Sequence, residues 1–583
     1  MQPSTTDSGV THRPGNFASL TEALDHAAEG ACGLNFYGTD AGLIETLSYA
    51  DLRSRAIDLA GRLAAVYPRH ARIGLIAETT PEFMVAFMAC QYAGLVPAPL
   101  TVQAAFGRRE VYEWQMSRTA QTADLAAVMA TDEVAKVLRN ALAEIDIPLI
   151  AVCGRDLPET GVVPVPHGKD DPAYIQFSSG STSAPKGIYA TQKSVSANCH
   201  AIINEALHMT AEDRCASWLP LYHDMGLIGF FMVPLYNQTS VDYISPTTFA
   251  RRPITWLKLV SENRGTIVYS PSFGYDLCAR RYRGETLDLS SLRVAGIGGD
   301  MVREDALVSF TDIFAPSGFD GRAFVPSYGL AEATLGVAFA PLDVGMKRDL
   351  VDTGRMQTSG RAVPATAHTR PGQTRCFVSC GRPLPSFEMR IVDTDGRETQ
   401  GRDIGRIMIK SPSIAGGYFR AGEALQALMD EGGWMETGDL GYWLDGEVVI
   451  TGRSKDLILW NGRNIWPQDI EWVAQNTGGK NISGAGAFEV GDTDGGSRIV
   501  VLAECWSRDE AVRAQLIRDI SAATRATTGA PVSVELVSVR SLPMTSSGKL
   551  SRAAARARYL AGDYATAAPT EERVTAAAPA RGA

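Results

Sequence analysis

The chain has 583 residues, 45% of them hydrophobic and 21% charged, with a formal net charge of −10. Those proportions exclude a disordered chain, because enough apolar residues are present to form cores, and the length predicts several domains rather than one. An acidic total argues against a nucleic-acid partner, whose phosphates demand a basic surface. Small molecules and proteins are the expected partners.

Residues 1–16 are polar and rich in Thr, Ser and Pro, without the basic and apolar regions of a signal peptide, so a disordered start and a cytoplasmic location are expected. The apolar run Arg72 to Ala77 reads as a buried strand. Thr80 follows as a cap, Pro81 at the first helical position, an apolar face from Phe83, Met84, Phe87 and Met88, and Gly94 as the stop. Leu125 to Ala130 and Pro148 to Val152 repeat the strand pattern around a helical segment, Asp132 to Ala141. Strand, helix, strand predicts an α/β fold with a largely parallel sheet. The run Leu227 to Tyr236 is too short for a membrane span and contains Pro234, so it is expected in a core or pocket. Nine cysteines are scattered, and Cys376 with Cys380 has no second pair to complete a zinc site; reduced, mostly buried thiols are expected.

Leu440 to Trp443 and Glu447 to Thr451 flank Asp445-Gly446, a hairpin signal. A smaller α+β unit is expected beyond it, with strands at Arg498 to Glu504 and Val532 to Val539 and a capping box of Ser507 with Glu510. The expected division is a large unit over 17–452, a small one over 457–565 and a disordered Ala/Pro-rich tail over 566–583.

The segment Tyr174 to Ile188 carries the clearest chemistry: an apolar strand runs into hydroxyls and glycines and then a lysine. Ser178, Ser179, Ser181, Thr182 and Ser183 supply donors, Gly180 and Gly187 let the backbone approach closely, and Lys186 adds charge, which together can wrap phosphates. It is not a Walker loop, because Lys186 precedes its glycine and no Ser or Thr follows it directly. Taken alone, a Ser/Thr-rich turn of no consequence is the favoured explanation.

Five further motifs follow in order: Leu219 to Gly226, Tyr328-Gly329-Leu330-Ala331-Glu332, Thr437-Gly438-Asp439, Gly452 to Asp456 and Ser546-Ser547-Gly548-Lys549. With the loop they resemble, over nearly the whole chain, the adenylate-forming superfamily of acyl-CoA synthetases, nonribosomal adenylation domains, luciferases and fatty acyl-AMP ligases. The resemblance implies a large domain, a mobile small domain and two reaction steps. A carboxylate first attacks the α-phosphorus of ATP to give acyl-adenylate and pyrophosphate, and a thiol then attacks the mixed anhydride. It also implies ATP contacts from Ser178, Ser179, Gly180, Ser181, Thr182, Lys186, Gly299, Asp300, Ser327, Tyr328, Gly329, Asp439 and Arg453. Tyr328 would stack on adenine, Asp439 would accept the ribose hydroxyls, and Glu332 with Thr182 would hold Mg2+. Lys549, Glu332 and His223 are implied as catalytic, Lys549 by facing the negative charge of the transition state. The hinge, within 453–456, is implied at Lys455.

Gly462 to Glu471, Pro220 to Gly229 and Ser379 to Pro383 look like the fatty acyl-AMP ligase branch. The long segment between Glu332 and Cys380 would then hold the insertion thought to restrain the small domain and disfavour coenzyme A. The branch usually has His before an aromatic where this chain has Ile465-Trp466, and Gly-Ala-Glu-Pro where it has Gly298-Gly299-Asp300-Met301. The acyl pocket is expected to use Trp218, His223, Gly226, Ser272, Phe273 and Gly329. A fatty or related lipophilic acid and an acyl carrier protein are the implied partners. Coenzyme A as acceptor is the alternative, and a binding-only protein a third, against which intact Glu332, Asp439, Arg453 and Lys549 argue.

Overall fold

A computed structural model describes residues 11–102, 109–178, 186–370, 372–491, 497–545 and 549–564. The chain divides into two compact units, one of residues 1–369 and 374–455, the other of residues 370–373 and 456–583. The division between Lys455 and Asp456 falls inside the segment expected as the hinge.

The first unit is organised around a nine-stranded sheet. Its parallel centre runs Phe324–Gly329, Val294–Ile297, Ile267–Ser270, Arg214–Ser217, Ser240–Tyr243 and Gly33–Tyr37. Antiparallel strands close both sides: Gly336–Phe339 and Arg382–Pro383 at one end, Leu43–Ser48 at the other. A second, wholly parallel sheet pairs Val96–Leu100, Arg72–Ile76, Ala127–Ala130 and Leu149–Ala151. The connection after Arg72–Ile76 forms for the local reasons expected. The Thr80 hydroxyl accepts the Phe83 N–H, Pro81 opens the helix Pro81–Ala93, and Gly94 ends it at φ +67, a conformation costly for any residue with a Cβ. Twelve of that helix's residues are buried, so it is apolar on every side and sits inside the core rather than on it.

The run Leu227 to Tyr236 is a buried helical segment with a π-helical stretch at Ile228–Met232, and a second π-helical stretch lies at Ala201–Ala206. Such widened turns are rare and recur at functional sites. Residues 11–16, expected to be disordered, are instead docked: the Arg13 N–H donates to Gln238 Oε1 at 2.9 Å and the Gly15 N–H to the Tyr236 carbonyl at 2.9 Å. Backbone hydrogen bonds to an ordered helix end outweigh a polar composition. Residues 1–10 and 565–583 lie outside the described residues.

The four-stranded antiparallel sheet Glu388–Val392, Gly405–Lys410, Met435–Leu444 and Glu447–Arg453 contains the predicted hairpin, with Asp445 at φ 54 and Gly446 at φ 80 in its turn. The segment after Glu332 is folded rather than a loose solvent loop. Strands Arg348–Asp352 and Thr374–Val378 pair antiparallel, and a helix, Thr353–Ser359, follows the first. Buried Asp349 anchors it: Arg402 donates to its two oxygens at 2.7 and 2.8 Å, and the Tyr442 hydroxyl donates to Oδ2 at 2.5 Å.

In the second unit, strands Ile482–Gly491, Ser497–Cys505 and Val532–Val537 form a sheet covered by helices Pro467–Gly478 and Glu510–Thr528. Ile470, Ala474, Ile499, Val501, Leu516 and Ile520 make its core. The cap of the helix Glu510–Thr528 is Asp509, not the Ser507–Glu510 box: its carboxylate accepts the Ala511 and Val512 N–H groups at 2.9 and 3.1 Å. A charged acceptor one residue before the helix outcompetes a hydroxyl three residues before it.

Candidate functional site

Three side chains of the first unit form one hydrogen-bonded row. Tyr328 closes the strand Phe324–Gly329, and its buried phenol donates to Asp439 Oδ2 at 2.7 Å. Asp439 faces Arg453 across the pair of strands Met435–Leu444 and Glu447–Arg453, with Arg453 Nε 3.2 Å from Oδ1. The Asp439 N–H donates to the Thr437 hydroxyl at 3.1 Å. Burial first, and the Asp439 charge second, hold the Tyr328 phenol well above the usual tyrosine range, so it stays a donor. A carboxylate oriented through both oxygens, beside a flat aromatic face, fits an adenosine whose ribose hydroxyls need an acceptor. Nearby in sequence to the same sheet, Ser327 donates to the Ile297 carbonyl at 3.1 Å, and Gly299 takes φ +81 with Asp300 exposed after it. The exposed left-handed turn at Gly299 leaves backbone open for a ligand, where a side chain would be strained.

Glu332 lies in the short turn Ala331–Ala333, and its Oε1 accepts the Tyr418 hydroxyl at 2.8 Å. Tyr418 belongs to the strand Gly417–Phe419, paired with Lys186–Thr191, and the Lys186 ammonium sits 4.8 Å from its ring centroid. Burial and the Glu332 charge raise the Tyr418 phenol above its ordinary value, keeping it a donor to Glu332. Tyr418 was not foreseen; the signal was a tyrosine after Gly416-Gly417, which by composition is an ordinary turn. Ser178 ends the strand Pro172–Ser178, while Ser179, Gly180, Ser181 and Thr182 lie outside the described residues. Lys455 stands in the turn Ser454–Asp456 that ends the first unit.

Lys549 belongs to the second unit and is exposed. Its N–H donates to the Thr545 hydroxyl at 3.1 Å, and its carbonyl accepts the Thr545 N–H at 2.6 Å. The backbone of this exposed lysine is therefore pinned.

The first unit encloses a narrow cavity of about 60 Å³. Tyr328, Gly299 and Ser327 line one part of it, and Ile202, Leu207, Met209, Phe230, Val233 and Ile267 give it a mainly apolar wall. Of the residues expected for the acyl pocket, Gly329 lines this cavity; a Cβ there would lie 2.0 Å from the Leu335 carbonyl oxygen, so only glycine fits. The others have different positions. Trp218 stacks on Phe249 with centroids 3.8 Å apart, and exposed Phe273 packs edge-on to it at 5.7 Å. The Ser272 hydroxyl accepts the Arg303 N–H at 3.0 Å. Gly226 lies against the backbone, where a Cβ would meet the Pro220 carbonyl oxygen at 2.2 Å. His223 precedes the helical turn Asp224–Leu227, whose Asp224 and Met225 do line the cavity. Sequence reasoning missed Ile202, Met225, Phe230, Tyr269 and Phe339, which lie in five different elements and meet only through the fold.

Residues 25–419 match the family described as AMP-binding enzyme. A Caulobacter vibrioides protein provisionally named acyl-CoA synthetase is 43% identical, over 96% of this chain and 98% of its own length. JamA of Moorena producens, a medium-chain-fatty-acid–[acyl-carrier-protein] ligase, is 33% identical over 94% of this chain and 96% of its own. A solved structure from a study of fatty acyl-adenylate ligases of E. coli and L. pneumophila superimposes with a TM-score of 0.89 at 38% identity, covering 95% of this chain and 100% of that one. With the Tyr328–Asp439–Arg453 row and the apolar cavity lined by the same Tyr328, these matches place the chain in the AMP-binding, adenylate-forming family, as an ATP-dependent ligase of carboxylic acids.

Proposed function

We propose that the chain is a fatty acyl-AMP ligase that passes its acyl group to the phosphopantetheine thiol of an acyl carrier protein. The observation that supports this reading is the mainly apolar cavity lined in part by Tyr328, Ser327 and Gly299, which would set a lipophilic chain beside the Tyr328–Asp439–Arg453 row. In this reading Asp439 accepts the ribose hydroxyls, Arg453 steadies Asp439 and the nucleotide, and Lys186 faces the phosphates. Lys549 brings positive charge to the carboxylate and α-phosphate as negative charge builds, which lowers the barrier without any covalent bond to the protein. Mg2+, held by Glu332 with Thr182, would neutralise phosphate charge. Lys455 is the hinge about which the small unit reorients between steps.

The folded segment anchored by Asp349 supports this branch, because an insertion that restrains another part must itself be fixed. The name of the Caulobacter relative favours the second reading, an acyl-CoA synthetase. The two readings separate when purified protein, ATP, Mg2+ and a panel of fatty acids are offered either coenzyme A or a holo carrier protein. Acyl-carrier thioester without acyl-CoA supports the proposal; efficient acyl-CoA formation contradicts it.

A further inference from the structure

Apart from the nucleotide row and the cavity, the first unit brings two imidazoles and a carboxylate together. His70, in the turn before the strand Arg72–Ile76, meets His167 and Asp171, just before the strand Pro172–Ser178; their ligating atoms all lie within 4.8 Å of one another. His167 is buried, and its Nε2 lies 2.8 Å from the Leu95 carbonyl. A carbonyl only accepts, so Nε2 carries the proton and Nδ1 presents a lone pair. That Nδ1 has no hydrogen-bond partner among the described residues and faces Asp171 Oδ2 at 3.6 Å. A lone pair set against a carboxylate is unfavourable unless positive charge enters.

The surroundings fix these groups as ligand supports do. Asp171 Oδ2 accepts the Gly168 N–H at 2.8 Å and Arg69 Nη2 at 2.7 Å, while Oδ1 accepts from His70 Nε2 at 3.3 Å through a proton that a bound cation would displace. His70 is placed by a left-handed backbone, φ +66, and by its own N–H donating to the Gly94 carbonyl at 2.7 Å. A histidine that gives its other ring N–H to a backbone carbonyl, next to a carboxylate oriented by outer donors, is the usual support of a metal ligand.

We propose that His70 Nε2, His167 Nδ1 and Asp171 Oδ1 form a binding site for a borderline divalent cation of the zinc type. Two imidazole nitrogens and one carboxylate oxygen, with a further position for water, suit that class rather than magnesium or calcium, which prefer all-oxygen sites. Arg69 engages Oδ2, so the ligand oxygen Oδ1 is shared only with His70, itself a ligand in the proposal, among the described residues. The bound ion ties the turn before the strand Arg72–Ile76 to the entrance of the strand Pro172–Ser178. It is independent of the adenylation chemistry.

The test uses the full chain, stripped with a chelator and titrated with zinc chloride by calorimetry, without nucleotide or magnesium. Wild type should bind one equivalent and gain thermal stability. His70→Ala removes a half-exposed side chain and should weaken binding by about tenfold or more. Asp171→Asn should do the same, and Glu332→Gln should leave binding unchanged. Absence of saturable binding in wild type overturns the proposal, as does unchanged affinity in His70→Ala, which would put the ion on other donors such as exposed Cys153. If Asp171→Asn fails to fold, His70→Ala decides alone.

Discussion

The carboxylate Asp439 and the lysine Lys549 are held in opposite ways. Asp439 is buried and fixed by Tyr328, Arg453 and the Thr437 hydroxyl, across a rigid strand pair. Lys549 is exposed, and its backbone is tied to Thr545. In the proposed reading Asp439 recognises the part of ATP that does not change, and such a group profits from rigidity, because ordering costs are met on folding. In the same reading Lys549 meets charge that appears only in the transition state, where a buried ion pair in the resting chain would weaken its effect.

This contrast can be broken from either side. Lys549→Ala carries the largest expected effect: acid-dependent pyrophosphate release should fall about 10²- to 10³-fold, with the melting temperature unchanged. Asp439→Ala should damage both binding and folding. It removes a buried acceptor of the Tyr328 phenol and an ion-pair partner of Arg453, costing about 1–3 kcal/mol in denaturant unfolding while raising the KM for ATP. Asp349→Ala removes the acceptor of Tyr442 and the carboxylate of Arg402, which keeps the Ala362 carbonyl, and should cost about 2–3 kcal/mol of stability, with adenylation in the absence of any thiol nearly unchanged. Tyr328→Phe is milder, about 1 kcal/mol and a few-fold in the KM for ATP. The smallest expected effect is a null one. Because the Tyr328 phenol is raised well above 10, its proton stays on through alkaline pH. Profiles of ATP binding from about pH 6 to 9.5 should therefore run parallel in wild type and Tyr328→Phe, with no step belonging to this phenol.

What was legible in the sequence follows the same division between local and assembled features. The strand Arg72–Ile76, the Thr80 cap, the Gly94 stop and the Asp445-Gly446 hairpin depend on neighbours within a few residues, and the structure has them where the pattern puts them. Tyr328, Asp439 and Arg453 could be named because each sits in a motif, yet their mutual hydrogen bonds come from strands 111 residues apart in the case of Tyr328 and Asp439. The cavity wall was not legible. Trp218 and Phe273 are aromatic and near a motif, but they pack on one another and Trp218 stacks on Phe249, while Ile202, Phe230 and Tyr269 reach the cavity through π-helical turns and strand order that no spacing encodes. Gly296 shows the same limit: a Cβ there would meet the Tyr269 ring at 2.0 Å, a requirement visible only once two parallel strands are paired.

The most direct test of adenylate formation on this site omits every thiol. Wild type and Lys549→Ala are incubated with ATP, Mg2+ and a panel of fatty acids, and acyl-AMP is followed by mass spectrometry. Acid-dependent accumulation of acyl-AMP by wild type, lost in Lys549→Ala, is the predicted result. Acyl-AMP formed equally well by Lys549→Ala, or by neither protein with any acid, would contradict the account.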